Sequence, residues 1–403
     1  MHVVELSYMY PSPRHPTSGV FIERQVREMA RRAAVDVVSP VPWVPPGLAG
    51  VSARWRSYAA QPATSACHGV RVHHPRYLQP IGRWAVPVAG AAMGLAALPV
   101  CRALAAARGA DVIHAHQLLP EGVAAVMIGR RLGRPVVCTL HGDDATLAPF
   151  HDRAARAAAR WVLRHVRALT AVSPNLLESV GRLSPLAVPA EVVPNGVDLD
   201  RFLPYDRRAA RARLGLEPDG AIVVYAGLLI PRKGLDVLLD AFAPLASTMP
   251  HARLVLIGGS AERDDQRREL VRAATLLGCA DRVRFVGRRP HDEMPLWFAA
   301  ADVCALPSRR EGFPNVVREA LACGTPCVAT ALPGMAETVG AGGLVVPPDD
   351  PVALRDALAT AFRAGWDRAA LRRRAAAWRW EASADAMLAV LRRAAGRSER
   401  EVA

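Results

Sequence analysis

The feature that most constrains this chain is an alternation of short apolar runs with helix-like stretches, and it occurs as two separate series. The first series contains HVVELSY, VDVVSP, ADVIHAH, PVVCTLHG and ALTAVS, with helical stretches such as Ile22 to Arg32 and Ala154 to Arg167 between them. The second contains AIVVYAG, ARLVLIGG, RVRFVG, ADVCALPS and TPCVAT, with helices predicted to start near Gly234, Asp264, Asp292, Asn315 and Pro351. Strands that are apolar throughout suit a parallel sheet covered by helices on both faces. Single hydrophobic cores stop growing near about 250 to 300 residues, so a chain of 403 residues with two such series predicts two doubly wound α/β domains. The turn-rich PNGVDLDRFLP, Pro194 to Pro204, marks the hinge between them. The expected boundaries are 1–195, 196–378, and a helical C-terminal segment at 379–403 that can pack back on the first domain.

Composition narrows the function classes. The formal net charge of +14 comes almost wholly from arginine, since Lys233 is the only lysine. No zinc-finger spacing or aromatic-plus-basic RNA-binding motif accompanies that charge, so a nucleic-acid partner is not expected. An anionic substrate or an anionic membrane surface accounts for it equally well. The seven cysteines form no CxxC pair and read as reduced, mostly buried thiols. The opening MHVVELSYMYPSP lacks the basic and apolar regions of a signal and reads as a first strand, so a cytoplasmic location is expected. Trp84 to Cys101 is uncharged and long enough to be weighed as a membrane span. Alanine and glycine dominate it and two prolines interrupt it, which favours a buried or interface-lying helix.

Several segments carry chemistry. SRREGFPNVVREALACGTPCVAT joins a strand, a turn with Gly312 and Pro314, and a helix from about Asn315. Unpaired amides and the dipole at such a helix start suit a diphosphate. YAGLLIPRKGLDVLL places Arg232 and Lys233 at a glycine turn between strand and helix, where cations can neutralise a departing diphosphate. DVIHAHQLLPEG and CTLHGDDATL put His114, His116 and His141 at the ends of predicted strands, where open α/β sheets build their sites. His114 and His116 fit satisfied structural roles better than catalytic ones. Asp198-Leu199-Asp200 has the spacing of a metal-binding DxD but lies in the hinge, and reads as linker polarity. His73 and His74 have no partners at zinc-ligand spacing, and no Walker loop or early GxGxxG is present.

The EGFPNVVRE block resembles the EGFPxxxxEAxAxGxPVVA signature of GT-B retaining glycosyltransferases of family 4, and motifs in the expected order extend that resemblance over nearly the whole chain. It implies two Rossmann-like domains facing an interdomain cleft, with the acceptor mainly on the first and a UDP- or GDP-sugar mainly on the second. It implies that Glu311 contacts the donor sugar, Glu319 the nucleotide ribose and His141 the donor sugar, with Gly142 and Asp143 shaping the loop. Lys233, Arg232 and the turn at Gly312, Phe313, Pro314 and Asn315 would hold the diphosphate. Gly19, in PTSGVFIERQV, would let backbone approach the donor phosphate. Leu228 stands where the family commonly carries a phosphate-binding arginine, and Arg232 lies close enough in sequence to supply that charge. The resemblance further implies retention of anomeric configuration, with no cofactor and no required metal. The acceptor would be a glycan or a polyprenyl- or other lipid-linked molecule in cell-envelope or exopolysaccharide synthesis. A sugar-nucleotide epimerase, or a non-catalytic scaffold that binds anionic polymers, is the rival reading. Arg153, Arg156, Arg160, Arg164 and Arg167 recur at helical spacing beside Trp161 and are expected to form a face for the anionic inner surface of a membrane.

Overall fold

A computed structural model describes residues 1–16, 18–80, 85–142, 152–259 and 265–397. Asp143 and the expected helix start at Asp264 lie outside these residues. The chain divides into two compact units: unit 1 is 1–196 with 380–403, and unit 2 is 197–379.

Unit 1 contains β1 (His2–Leu6), β2 (Ala34–Val38), β3 (Val41–Pro42), β4 (Thr64–Cys67), β5 (Val70–His73), β6 (Arg76–Tyr77), β7 (Val112–His116), β8 (Val136–Leu140), β9 (Ala168–Ala171) and β10 (Ala190–Val192). Eight of these form one sheet in the order β10-β9-β8-β7-β1-β2-β5-β4, while β3 and β6 pair apart. β1, β7, β8 and β9 are buried along their whole length, which is why they read as predominantly apolar runs even though β1 carries Glu5 and β7 carries His114 and His116. The edge strand β4 runs antiparallel to β5. Its sequence, TSAC, is half exposed and carries no apolar run, so the residue pattern gave no sign of it. The predicted helix at Ile22 to Arg32 is Val20–Ala30. Against it lies the C-terminal helix Trp380–Ala394, where Met387, Leu388 and Leu391 join Ile22, Val26 and Met29 in one core. The Gln25 amide donates to Ser383 Oγ at 3.0 Å, and Ser383 Oγ donates to the Pro194 carbonyl at 2.7 Å.

Unit 2 contains β11 (Ile222–Gly227), β12 (Arg253–Gly258), β13 (Val283–Gly287), β14 (Val303–Leu306), β15 (Cys327–Thr330) and β16 (Gly343–Val346). They form an all-parallel sheet in the order β13-β12-β11-β14-β15-β16. From β11 the chain winds outward through β12 and β13, then returns to place β14 on the other side. The switch point therefore lies between β11 and β14, and in unit 1 it lies between β1 and β7. Crevices at the carboxyl ends of such strand pairs are where doubly wound sheets bind ligands.

Local chemistry sets several helix starts. Asp152 caps the helix Arg153–His165 through the Ala155 amide at 2.7 Å, and Asp350 caps Pro351–Arg363 through the Ala353 amide at 2.8 Å. The first of these helices ends at His165, so Arg167 is not on its face: its amide donates to the Val136 carbonyl at 2.7 Å, leading into β9. Arg160 is likewise tied down, with Nε donating to the Leu183 carbonyl at 2.7 Å. Residues 85–101 of the uncharged stretch lie in a 24-residue helix, Ala85–Arg108, long and apolar enough by composition to cross a membrane; Trp84 lies outside the described residues. Ala89, Met93, Ala97 and Cys101 face the interior while Val88 and Leu95 are exposed.

Gly234 joins β11's loop to the helix Leu235–Thr248 in the left-handed region, at φ 64°, and a Cβ there would sit 2.1 Å from the Pro307 carbonyl oxygen. Gly215 has a similar φ of 59° but open space around it. Gly215→Ala should therefore cost only the backbone term of about 1 kcal/mol, whereas Gly234→Ala should cost at least about 2 kcal/mol because strand-end backbone must also move. Urea unfolding midpoints of the two variants check this, and equal losses would contradict it.

Candidate active site

In unit 2 the switch point brings two loops together. One follows β11 and ends in the 3₁₀ turn Pro231–Lys233; the other follows β14 and carries Ser308 to Glu311. Gly234 permits the close approach described above. Lys233 Nζ lies 2.5 Å from Glu311 Oε1, and Ser308 Oγ donates to the same oxygen at 2.5 Å. Ser308 is itself fixed, being fully buried with its carbonyl accepting from Thr330 Oγ1 on β15. Beneath the pair, the Tyr225 hydroxyl donates to the Leu228 carbonyl at 2.7 Å. Burial, reinforced by the Glu311 charge, holds that phenol protonated well above its ordinary range.

Arg309 fastens the two loops to each other. Its amide donates to the Arg232 carbonyl at 2.9 Å, and its guanidinium donates to the Pro231 carbonyl at 2.7 Å, to both oxygens of Asp236, and to Asp349 at 2.6 Å. The hydrogen bonds that Arg309 donates to Asp236 raise its pKa further above the usual value. Burial alone would raise the Asp236 carboxyl, but Arg309 overrides it and holds that group below the usual range. No feature of SRREG distinguishes Arg309 from Arg310, and the sequence reading did not single it out.

Of the EGFP turn, Pro314 is buried at the start of the helix Asn315–Ala322. The Phe313 ring lies under the Arg318 guanidinium, 3.5 Å from its centroid, and Trp378 holds the other side of that guanidinium at 4.7 Å. Gly312 and Asn315 are partly exposed beside Glu311. Glu319, one turn into the helix, is apart from the Lys233 pair: its Oε1 lies 3.0 Å from His291 Nε2, and His291 packs edge-on against Phe202. His291, in PHDEM, is a second residue that sequence reasoning missed, because only the fold brings it to Glu319. Asp198 caps its own turn through the Arg201 amide at 3.0 Å, consistent with linker polarity.

In unit 1 the switch point holds a buried polar chain. Glu5 on β1 and His114 and His116 on β7 are all fully buried, with Glu5 Oε2 2.8 Å from His114 Nδ1 and 2.8 Å from His116 Nε2. His114 continues through Thr139 Oγ1 at 2.6 Å to Thr170 Oγ1 at 2.5 Å. His116 Nδ1 lies 3.0 Å from His141 Nε2, and the two rings stack with Phe21 packed on the far side of His141. Burial, and then His114, hold the His116 pKa down at about 4, so at neutral pH its ring carries one proton. That proton faces Glu5, which leaves Nδ1 as acceptor and makes His141 Nε2 the donor. The His141 lone pair is thereby placed on Nδ1. Glu5, His114 and His116 offer ligand atoms within 4.8 Å of one another, as a metal site would. His116 Nε2 is hydrogen-bonded to Glu5 Oε2, while His114 Nδ1 and Glu5 Oε1 have no hydrogen-bond partner among the described residues, and all three side chains are fully buried. Gly19, at φ 54°, is required by internal packing, since a Cβ would fall 2.2 Å from the Met9 carbonyl oxygen.

Two doubly wound units, each with polar side chains gathered at its switch-point strands, are the architecture of the GT-B fold. Residues 220–363 match the family described as Glycosyl transferases group 1, and residues 83–201 match Glycosyltransferase Family 4. A D-inositol 3-phosphate glycosyltransferase of Jonesia denitrificans is 36% identical over 309 residues, covering 70% of this chain and 72% of that one. The putative teichuronic acid biosynthesis glycosyltransferase TuaC of Bacillus subtilis is 29% identical over 364 residues, or 89% and 88% of the two chains. Among solved structures, sucrose-phosphate synthase from Thermosynechococcus elongatus superposes with a TM-score of 0.77 at 26% identity, covering 98% of this chain and 99% of that one. Anabaena HepE, in complex with UDP and glucose, gives 0.73 at 22% identity over 97% and 99%. The chain belongs to the family 4, group 1 glycosyltransferases.

The buried chain in unit 1 predicts acid sensitivity. Burial would raise the Glu5 carboxyl, but His114 and His116 outweigh it and hold it from an ordinary 4.5 down to about 2. An unfolded histidine takes up a proton near 6.5, which folded His116 refuses until about 4, so stability falls with pH across that window. Glu5 extends the loss from about 4.5 toward 2. Calorimetric unfolding of the whole chain should show a loss on the order of 3 kcal/mol between pH 6.5 and 4 from His116. Constant stability over that interval would contradict the assignment.

Proposed function

We propose that this enzyme moves a hexosyl group from a UDP- or GDP-sugar to a glycan or lipid-linked acceptor in cell-envelope or exopolysaccharide synthesis, with retention of anomeric configuration. The observation that carries the reading is the Lys233–Glu311 pair at the unit 2 switch point. Glu311 is held by Ser308 and Lys233 so that its carboxylate can meet sugar hydroxyls, and the ammonium beside it can share its charge with the diphosphate as the glycosidic bond breaks. Arg232 and the turn from Gly312 to Asn315 supply further positive potential in place of a divalent ion. Glu319, oriented by His291, is the ribose acceptor. His141, with its tautomer set from Glu5 through His116, is the unit 1 group assigned to the donor sugar. Testing UDP-sugars first is supported by the HepE structures, which are described as complexes with UDP and with UDP-glucose.

Attack by the acceptor on the face from which the diphosphate leaves, assisted by that phosphate, fits these residues without a carboxylate nucleophile. A panel of UDP- and GDP-sugars incubated with lipid extract and glycans should give transfer in the presence of EDTA. Lys233→Ala and Glu311→Ala should each lower kcat at least about 100-fold with the fold retained. Wild-type rates in either variant, or turnover that vanishes with EDTA and returns with a divalent ion, would overturn the assignment.

The same reading places the protein in the cytoplasm, peripheral on the inner membrane face. Supporting it are exposed Arg153 and Arg164 on the helix Arg153–His165, and a groove of about 320 Å³ lined by Leu95, Leu98, Met127, Arg130, Arg131 and Trp161. Reversing the charge of Arg130, Arg131 and Arg164 should abolish co-sedimentation with anionic vesicles, and unchanged binding would dispose of the membrane face.

A further inference from the structure

The edge hairpin of unit 1 closes on a two-residue turn. Cys67 at the end of β4 pairs with Val70 at the start of β5, which leaves His68 and Gly69 as the turn, with φ of 48° and 82°. Positive φ at both central residues matches the twist of a two-stranded ribbon, and the first of them is usually Asn, Asp or Gly. Here the hairpin holds a histidine in that position and carries its ring to the helix Val20–Ala30, where Nε2 lies 3.6 Å from Glu23 Oε1. Cys67 completes a trio whose ligand atoms all lie within 4.8 Å of one another.

Glu23 is the residue that makes this trio a site. Its side chain is only 6% exposed, and its Oε1 accepts no hydrogen bond among the described residues. The chain carries 51 arginines and lysines, yet among the described residues the one ion-pair partner of this carboxylate is His68, which is 58% exposed. Buried carboxylate oxygens are expected to have a donor or a cation, and here the groups gathered around the oxygen are an imidazole and a thiol. The field is negative as well: burial, then Cys67, Glu23 and Glu5, hold the neighbouring Tyr10 phenol protonated, above its ordinary range. Burial and then Glu23 likewise raise the Cys67 thiol. Ligand atoms held about 2.0–2.3 Å from a tetrahedral zinc ion stand roughly 3.3–3.6 Å apart, which the His68 to Glu23 separation matches. In the trio of Glu5, His114 and His116 the corresponding contacts are 2.8 Å, the length of a hydrogen bond, and complete burial leaves an ion no route in. His68 is open to solvent, and Cys67 is the only one of the seven cysteines that is not buried. A thiolate, an imidazole and a carboxylate together suit Zn²⁺ better than Mg²⁺ or Ca²⁺.

We propose that Glu23, Cys67 and His68 form a zinc site that clips the β4–β5 hairpin to the helix Val20–Ala30, with water in the fourth position. Zn²⁺ bonds to Cys67 Sγ as the thiolate, the thiol proton passing to solvent, and takes lone pairs from His68 Nε2 and Glu23 Oε1. The site lies wholly in unit 1 and takes no part in sugar transfer, so it does not rest on the transferase reading. The full chain, stripped with a chelator, would be titrated with Zn²⁺ against a chromophoric chelator and separately with Co²⁺, without donor or acceptor. Wild type should take up one zinc ion per chain at this site and melt at a higher temperature with it, and Co²⁺ should give a thiolate-to-metal charge-transfer absorption. Mg²⁺ should do neither. Cys67→Ser should lose the absorption and weaken zinc binding at least about 100-fold, and Glu23→Gln and His68→Asn at least about tenfold each. Asparagine suits the positive φ of the turn, so His68→Asn should melt like metal-free wild type. If Cys67→Ser or Glu23→Gln lowers the metal-free melting temperature, His68→Asn decides. No zinc uptake, a cobalt absorption that survives in Cys67→Ser, undiminished uptake in His68→Asn, or equal stabilisation by Mg²⁺ would overturn the proposal.

Discussion

The close approach of the β11 and β14 loops is the constraint on which unit 2's site depends. Parallel strands adjacent at a switch point deliver their following loops to the same spot, but side chains would keep the loops apart without Gly234 against the Pro307 carbonyl. Arg309 then pins one loop to the other through backbone and carboxylate contacts. Only after that does a 2.5 Å contact between Lys233 and Glu311 become available. A half-buried ion pair of this kind adds little net stability, because desolvation opposes the Coulomb term. Its value lies in placement: the fold holds a cation and an anion in contact where a ligand carrying both hydroxyls and phosphates can replace part of that contact.

Unit 1 solves the opposite problem. A carboxylate and two imidazoles sit fully buried inside a parallel sheet, in contact with one another. The register that sets Glu5 opposite His114 brings them together, and the hydrogen bonds from Glu5 through His116 fix proton positions as far as His141. A buried polar network of this kind is rigid, and His141 is held at its end.

Much of this architecture was legible in the residues. Fully buried parallel strands announce themselves because both faces must be apolar, and Pro351 after Asp350 or the glycine at 234 marks helix starts through capping and backbone chemistry. Each residue of the Lys233–Glu311 pair could be named from its motif. The edge strand β4 was not legible, since a half-exposed strand needs no apolar run. His291 and Arg309 were not legible either. Their roles come from long-range packing: His291 meets Glu319 from 28 positions away, and Arg309 meets Asp236 from 73. The arginine series at 153–167 shows the converse error, in which a regular spacing ran past the true helix end at His165 and counted Arg167 with a face it does not share.

The lysine at 233 is the only ε-amine in these 403 residues, and it stands beside Glu311 in the site. Acylation, glycation or any other lysine-directed modification of this sequence therefore has no silent surface position on which to fall. Whatever reaches that amine reaches its contact with Glu311, so metabolic or chemical damage to lysine here falls on the switch-point pair.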